Sequence, residues 1–274
     1  MAALQDKRIV VTGASRGLGE AMAVGYAREG ARLVLAARSR DDLERVRALC
    51  ADAGAEVHVC VTDVAEEDQV QSLVRTAVAE LGGIDVFVAN AGTSYPGLTD
   101  KRYTTLDTYD ADIVERVMRV NAIGMWSCMK AAIPVLDEGA SFIAIGSETG
   151  RIARAGSGIY AVSKACVDVL VTIAAGETAE RGVRVNCLTP GGMVDTHLFG
   201  PDKMPEHLKQ LPMGYSEPGV IVPAAVWLAS DESRAVNGAQ LSGRHFNATG
   251  AAQVLAELAG DTGAAGSTAV AGSV

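Results

Sequence analysis

The chain has 274 residues, 49% hydrophobic and 21% charged, with 24 Lys and Arg against 33 Asp and Glu. This composition provides enough apolar material for a sizeable core and excludes intrinsic disorder for most of the chain. The net charge of −9 disfavours binding to nucleic acid or to anionic membranes, since the basic residues do not cluster. No run of 18 apolar residues occurs, so we expect no transmembrane helix.

The cysteines and histidines bear on location and metal binding. The odd number of cysteines, the lack of a CxxC pair and their apolar surroundings are typical of reduced thiols in a cytoplasmic protein. The apolar run near the start of the chain is too short for a secretory leader. The four histidines lack metal-ligand spacing, so we expect no metal site. The cysteines are Cys50, Cys60, Cys128, Cys166 and Cys187.

Short apolar runs alternate with longer helical patterns along the chain, at 9–11, 33–35, 57–61, 86–88, 142–145 and 183–188. The runs are continuously apolar, which is typical of strands buried on both faces of a parallel sheet. Apolar residues at helical spacing from Val70 to Leu81, ended by Gly82-Gly83, predict one clear helix. This alternation predicts an α/β fold: a single-domain, Rossmann-type, doubly wound seven-stranded parallel sheet with helices on both faces.

No composition break divides the chain before about residue 250. We therefore assign 1–250 to one domain and 251–274 to a C-terminal extension, of which the small-residue stretch 260–274 is predicted to be disordered. Residues 191–222 mix prolines with apolar side chains, which predicts a lid over a pocket. An ordinary surface loop is the alternative.

A glycine-rich turn follows the first apolar run and precedes a helical pattern, reading TGASRGLG from Thr12 to Gly19. Glycines there let the backbone approach a pyrophosphate, and the helix N-terminus offers free N–H groups and a partial positive charge. The context, between a strand and a helix near the chain start, favours a dinucleotide site over a plain tight turn. The predicted contacts are Gly13, Ser15, Arg16, Gly17, Leu18 and Gly19.

The end of the second strand predicts which dinucleotide binds. NAD sites usually carry an acidic residue there for the ribose 2′-hydroxyl. This chain instead reads Ala37-Arg38-Ser39-Arg40, and Asp41 and Asp42 come later, in the first turn of the next helix. Arg38 can form a bidentate pair with a 2′-phosphate, and Arg16 can reach the same group, which favours NADP(H). The alternative is two solvated surface arginines.

Tyr160 and Lys164 stand four residues apart on one side of a predicted helix. An ammonium near a phenol lowers the tyrosine pKa from about 10 towards working pH, which makes a usable general acid or base. By itself such a pair is usually a surface pair. Ser147 lies thirteen residues before Tyr160, at the end of an apolar strand, and the carboxyl ends of parallel strands line the ligand crevice. The three side chains together predict a site that holds a carbonyl oxygen.

With these residues in place, the chain resembles the short-chain dehydrogenases/reductases, in their compact single-domain branch, over roughly residues 6–243. The resemblance rests on motifs in family order and at family-like spacing. They are TGASRGLG at 12–19, Asp63-Val64, Asn90-Ala91-Gly92, Asn121 in VMRVNAIG, Ser147, YAVSK at 160–164 and VNCLTPG ending at Gly191. Each is modest evidence alone, and together they are highly specific.

The resemblance implies an NADP(H)-dependent oxidoreductase that transfers a hydride between the nicotinamide and a ketone or secondary alcohol. Tyr160 would be the general acid/base, Ser147 would hold the substrate oxygen, and Lys164 would lower the Tyr160 pKa and bind the nicotinamide ribose. Asn121 would hold a water of a proton relay, with a helix-interior Asn bonded to backbone as the alternative. The implied cofactor contacts add Arg38, Ser39, Asp63, Val64, Asn90, Ala91, Gly92, Tyr160, Lys164, Pro190, Gly191, Val194 and Thr196.

Some of these positions have structural alternatives as well. Asp63 could cap the following helix, and Asn90-Ala91-Gly92 could form a tight turn at the sheet end. The segment between Gly191 and Thr196 is one residue longer than the family pattern. Arg244 and His245 replace part of a usual Asp-Gly-Gly sequence, and either contact an anionic substrate or neighbouring subunit or are solvated.

The substrate side is least defined by the sequence. Residues 93–110 look longer than usual and either border the pocket or form a surface insertion. Glu148 is either a substrate contact or a solvated carboxylate. The pattern fits a mid-sized, partly apolar ketone or alcohol among other substrates. The candidate substrate contacts are Ser94, Tyr95, Glu148, Gly192, Met193, Leu198 and Phe199.

Other functions and the oligomeric state follow from the same resemblance. A non-catalytic NADP(H)-sensing protein on this fold is the main alternative, although such relatives typically lose the Tyr or Lys that this chain keeps. Epimerisation, dehydration and dehalogenation fit less well. Family members commonly form homo-oligomers through the helices that hold Asn121 and Tyr160, which implies a homotetramer rather than a dimer. The small residues Ala161, Ala165, Val169 and Ala174 could pack there or fill the monomer.

Overall fold

The continuously apolar runs form the strands of one parallel sheet in a computed structural model, which describes residues 2–95, 98, 105–194, 215–261 and 270–271. In chain order the strands are β1 (Arg8–Thr12), β2 (Arg32–Ala37), β3 (Val57–Val61), β4 (Val86–Ala89), β5 (Ser141–Ile145), β6 (Arg184–Thr189), β7 (Met193–Val194), β8 (Tyr215–Ser216), β9 (Gln240–Ser242) and β10 (Val270–Ala271). β7 and β8 pair only with each other. The other strands are all in the main sheet.

Helices cover both faces of that sheet. They are α1 (Gly17–Arg28), α2 (Arg40–Asp52), α3 (Glu67–Leu81), α4 (Ala111–Met118), α5 (Gly124–Ala132), α6 (Glu148–Arg151), α7 (Gly158–Thr178), α8 (Val222–Ala229) and α9 (Gly243–Asp261). One core cluster joins the sheet to α1, α2, α8 and α9, and a second joins it to α3, α5 and α7. The helix predicted from Val70 to Leu81 is α3. Its C-cap residue, Gly82, has the left-handed backbone conformation.

The strand order confirms the doubly wound prediction. The sheet runs β10-β9-β6-β5-β4-β1-β2-β3, with every neighbouring pair parallel. The six predicted apolar runs form β1 to β6, and β9 is the seventh strand of the predicted sheet. β1 lies between β2 and β4, so the chain reverses its direction of winding there. Ligands in such sheets bind at the carboxyl ends of the strands, beside this switch point.

The C-terminal end differs in part from its prediction. The last helix, kinked at Gly250, continues to Asp261, and β10 adds a two-residue strand beside β9. Residues 260–261 thus lie in the helix and residues 270–271 in the sheet, because backbone hydrogen bonds extend past the predicted domain end. Residues 262–269 and 272–274 of the predicted disordered stretch lie outside the described residues.

The stretch Gly158–Arg181, which begins with α7, is the one segment among the described residues that is long and apolar enough to cross a membrane by length and composition. Its inner face packs on the sheet, where Val167 and Val171 are fully buried. Buried core helices of this kind pass the same test, since a helix that is apolar all round normally has more than one face covered.

Candidate active site

The glycine-rich turn connects β1 to α1 at the switch point of the sheet. A Cβ atom at Gly19 would lie 2.2 Å from the carbonyl oxygen of Gly13, so the first turn of α1 packs directly on the backbone of the turn. Arg16 occupies the N-cap position of α1 and makes no side-chain cap hydrogen bond. The first N–H groups of α1 therefore lack a side-chain acceptor, and together with the helix dipole they fit a pyrophosphate.

Asn90 braces this turn from the end of β4. Its Nδ2 donates to the carbonyl oxygens of Thr12 at 2.9 Å and Gly13 at 3.1 Å. Oγ1 of Thr12 accepts from the backbone N–H groups of Asn90 and Ala91, at 3.0 and 3.2 Å. The Asn90 side chain therefore has the structural role that the tight-turn alternative predicts. It links the turn after β4 to the glycine-rich turn after β1. Sequence reasoning missed this link because 78 residues separate the partners.

Arg38 and Ser39, two of the predicted cofactor contacts, follow directly after β2. Arg16 and Arg38 are both exposed, and no ion pair within the described residues engages either guanidinium. Oγ of Ser39 accepts from the N–H of Asp42 at 3.3 Å and so caps α2. Two free cations beside a capped helix N-terminus are suited to a phosphate ester.

Asp63 and Val64 follow β3 as expected, but the alternative in which Asp63 caps the following helix is wrong. Oδ1 of Asp63 accepts from the N–H of Ala65 at 3.0 Å, within the turn before α3. Oδ2 pairs with Arg116 Nη2 of α4 at 3.2 Å. Asp63 thus closes its own turn rather than capping α3, whose N-cap is Glu66.

Ser147 and Tyr160 meet beyond the carboxyl end of β5. Ser147 caps the short helix α6, with its Oγ 3.3 Å from the N–H of Thr149. The Ser147 hydroxyl is close enough to act on the phenol of Tyr160. Burial raises the pKa of Tyr160 to about 12, and Ser147 opposes that rise. The phenol is therefore protonated at neutral pH and can act as a proton donor.

Lys164 lies below this pair, almost fully buried. Its Nζ donates to the carbonyl oxygen of Ile145 at 2.9 Å and lies 6.0 Å from the centre of the Tyr160 ring. Burial lowers the pKa of Lys164 to about 8, against the attraction of Asp168. Burial is the largest influence on the Tyr160 pKa, and Lys164 is not among the groups that shift it in this structure, so the lowering of that pKa by Lys164 stays a prediction.

Asn121 joins the cofactor side to the catalytic helix. It lies in a π-helical turn, Arg119–Ile123, where the N–H of Gly124 bonds to the carbonyl of Arg119 five residues earlier. Its side chain forms two 2.8 Å hydrogen bonds with the backbone of Thr93, and Nδ2 also donates to Ser163 Oγ at 3.0 Å. The side chain of Asn121 is thus bonded to backbone, as the structural alternative for this residue predicts. Single π-turns of this kind are frequent at functional sites.

Tyr95 and Glu148 lie on the substrate side. The Tyr95 ring meets Tyr109 edge-on at 5.7 Å, in a small apolar cluster with Ile113, Val117 and Ile159, next to Tyr160. Ser94 beside it is buried. Glu148 Oε1 accepts from Thr189 Oγ1, so this carboxylate is not simply solvated.

The end of β6 leads into the predicted lid. After Pro190 and Gly191, β7 (Met193–Val194) pairs with β8, so Val194 is buried in a small ladder and Gly192 leads into it. Thr196, Leu198 and Phe199 lie outside the described residues. Arg244 contacts this region, with its N–H 3.1 Å from Pro190 O and Nη2 2.6 Å from Ser216 Oγ. His245 instead pairs with Glu257 at 2.8 Å.

The comparisons with known proteins agree with this architecture. A family model described as enoyl-(acyl carrier protein) reductase matches residues 13–242. The 3β-hydroxysteroid dehydrogenase 1 of Eggerthella lenta is 34% identical over 248 residues, covering 87% of this chain and 92% of that protein. The chain belongs to the short-chain dehydrogenases/reductases. It is also 37% identical over 217 residues to glycine betaine reductase from Emericella nidulans, covering 78% of this chain but 16% of that protein's length.

Two solved structures show the cofactors found in similar folds. A short-chain dehydrogenase from Burkholderia cenocepacia in complex with NADP has a TM-score of 0.78 at 28% identity, over 88% of this chain and 97% of that one. Carveol dehydrogenase from Mycobacterium avium in complex with NAD has the same TM-score, identity and coverage. Members of the family are thus oxidoreductases that use a nicotinamide cofactor and act on alcohol and ketone substrates.

Proposed function

We propose that this member of the family is an NADP(H)-dependent oxidoreductase that interconverts a ketone and a secondary alcohol, with Tyr160 as the general acid/base. The observation that carries the proposal is the placement of Ser147 and Tyr160 beside the buried Lys164, at the carboxyl end of the sheet. The phosphate cradle opens at the same sheet edge.

The chain's own residues divide the work of the reaction. When bound, the nicotinamide would supply or accept the hydride. In the reductive direction, Tyr160 Oη gives its proton to the substrate carbonyl oxygen, and Ser147 Oγ holds that oxygen in place. The charged Lys164 stabilises the phenolate that forms on Tyr160, because an opposite charge nearby favours an anion. In the oxidative direction Tyr160 takes the alcohol proton.

The preference for NADP(H) rests on Arg38 and Arg16. Both guanidiniums are exposed, and no acidic residue stands at the end of β2. A 2′-phosphate could bind both, as a bidentate arginine pair is about twice as strong as a neutral hydrogen bond. We therefore assign the residues of the glycine-rich turn to the pyrophosphate and these two arginines to the 2′-phosphate.

The test measures NADPH oxidation by the purified protein against a broad panel of ketones and aldehydes, with NADH in parallel. We expect turnover with NADPH, and a KM for NADPH raised about 10-fold in Arg38→Ala, since a lost charge-assisted pair costs roughly 1.5 kcal/mol. Arg40→Ala is the matched control and should leave that KM unchanged. Tight NADPH binding without turnover in either direction would favour the cofactor-sensing alternative. Equal use of NADH would contradict the cofactor assignment.

We also propose a homotetramer. Large exposed apolar side chains lie on the outer faces of α5, α7 and the π-helical turn before α5, namely Ile123, Trp126, Val162, Val169 and Ile173. A helix that is apolar on both faces normally has both covered. Of the small residues predicted at this contact, Ala161 and Ala174 are buried within the chain, so the face is built instead around Val169. Light scattering should give the mass of four chains, and a monomer at micromolar concentration would contradict this.

A cytoplasmic location stays a prediction from the cysteine pattern. All five cysteines carry free thiols in the structure, in keeping with it.

A further inference from the structure

A buried ion pair lies directly behind the catalytic side chains. Arg151, the last residue of α6, meets Asp168 of α7 at two points, Nη2 to Oδ1 at 3.1 Å and Nε to Oδ2 at 3.3 Å. The two side chains are only 19% and 11% exposed. Arg151 Nη2 also lies 3.3 Å from Cys187 Sγ of β6. A two-point arginine–carboxylate pair fixes orientation as well as distance.

This pair ties the Ser147 turn to the catalytic helix. Ser147 and Arg151 are the two ends of one helical turn, in which the N–H of Gly150 donates to the carbonyl of Ser147 at 3.0 Å. A Cβ atom at Gly150 would lie 2.7 Å from backbone atoms of Lys164 and Ala165, so α6 packs directly on the backbone of α7. A displacement of Arg151 relative to α7 would therefore move Ser147 relative to Tyr160.

The same pair places charge beside Lys164. Asp168 is one helical turn beyond Lys164 on α7, and its carboxylate favours the charged lysine against burial. Burial raises the pKa of the Cys187 thiol of β6 to about 12, so this group is uncharged where Lys164 titrates. From α6, Arg151 competes with Lys164 for Asp168, and Glu148 acts on Tyr160 and Arg151. From β5, the neutral carbonyl of Ile145 accepts from the lysine. The charge on Lys164 thus depends on how the Asp168 carboxylate is shared between Arg151 and Lys164.

We propose that the Arg151–Asp168 ion pair is a positioning device for the reaction, which holds Ser147 against Tyr160 and sets the charge of Lys164. Neither residue touches the reacting atoms, so both act through the three catalytic side chains. The inference rests on the proposed function, since it concerns how Tyr160 and its neighbours are held for proton transfer.

Two single variants separate this role from a merely structural one, because they act on Lys164 in opposite directions. Asp168→Asn removes the carboxylate and should lower the pKa of Lys164. Arg151→Met frees Asp168 from its partner and should raise that pKa. Both loosen Ser147 and should reduce kcat by about 10- to 100-fold with a smaller change in KM, as expected for misplaced catalytic groups. Loss of packing alone gives no such opposite shifts.

The experiment is an NMR titration of lysine side chains in the full-length protein, with the Lys164 signal assigned from Lys164→Met, together with kcat and KM across pH. Asp168→Glu and Arg151→Lys test rescue. The glutamate should restore part of kcat, and the lysine, which lacks the two-point geometry, should restore less. These conservative variants also serve if a neutral variant does not fold.

A matched control is the Arg8–Asp85 pair at the amino ends of β1 and β4, on the side of the sheet away from the candidate site. It has the same two-point chemistry, with Arg8 Nη2 2.6 Å from Asp85 Oδ1 and Nε 2.9 Å from Oδ2. Asp85→Asn should lower the melting temperature and leave the Lys164 titration and kcat unchanged.

Opposite shifts of the Lys164 titration with reduced kcat support the proposal. It is overturned if Asp168→Asn and Arg151→Met leave the titration in place and kcat within about twofold of wild type, whatever their stability. If the wild type turns over no substrate while the two titrations still move apart, the proposed function fails and the assignment of the ion pair to Lys164 stands.

Discussion

The two ends of β6 hold buried cations in different ways. At its amino end, Arg184 is 5% exposed and donates to carbonyl oxygens of Ser233 and Leu228 at 3.1 and 3.0 Å. Burial lowers the pKa of Arg184 to about 10. At the carboxyl end, Arg151 and Lys164 lie near the carboxylate of Asp168 and the thiol of Cys187.

This difference distinguishes a buried cation that stabilises the fold, Arg184, from one that we propose acts in the reaction, Lys164. The carbonyl groups around Arg184 come from the end of α8 and the turns after it. These groups have no partner within the helix, and Arg184 supplies the hydrogen-bond donors that they lack. The groups around Lys164 are themselves titratable, so they set its charge. Perturbed titratable groups at the carboxyl ends of parallel strands are typical of an active site. The same strand thus stabilises the sheet at one end and adjoins the candidate active site at the other.

The largest expected effect comes from comparing two serines at the two ends of β5. Ser147→Ala should lower kcat by about 100-fold or more, since its Oγ holds the substrate oxygen. It should also cost about 1 kcal/mol of unfolding free energy, since the same Oγ caps α6. Ser141, at the amino end, donates through Oγ to Leu228 O at 3.0 Å. Ser141→Ala should destabilise by about 1 kcal/mol and leave kcat unchanged. Urea unfolding and initial rates measure both, and a loss of kcat in Ser141→Ala but not in Ser147→Ala would contradict the comparison.

Removing the cation at the amino end of β6 should affect stability alone. Arg184→Met leaves several buried carbonyls without a donor and should cost about 3 kcal/mol of unfolding free energy. Measured at 25 °C on the folded protein, kcat and the KM for cofactor should match wild type. A loss of kcat in the folded variant would show that the two ends of the strand are not independent.

The pH dependence of reduction should reflect the carboxyl end of β6. The pKa of Tyr160, raised to about 12, keeps the proton donor protonated through neutral pH. The pKa of Lys164, lowered to about 8, means that the ammonium loses its charge as pH rises through that value. Reductive kcat should therefore be level below this pH and fall above it. A profile that rises through pH 8 would contradict the role of Lys164.

The sequence predicts the sheet well and identifies the residues that the structure brings together at the candidate site, because both depend on local patterns. Continuous apolar runs mark strands buried on two faces, and Ser147, Tyr160 and Lys164 belong to short motifs. The Arg151–Asp168 pair and the Asn90–Thr12 link join residues 17 and 78 positions apart, so no local pattern reveals them. The direction of the Tyr160 pKa shift depends on burial, which spacing alone does not provide.

The most direct test of the account is single-turnover reduction by Tyr160→Phe beside wild type, using a substrate found in the panel and NADPH at saturating concentration. Removal of the phenolic proton donor should reduce the rate by about 10²- to 10⁴-fold, while the Kd for NADPH and the melting temperature stay near wild type. A Tyr160→Phe variant that reduces the substrate at close to the wild-type rate would contradict the assignment of Tyr160 as the general acid.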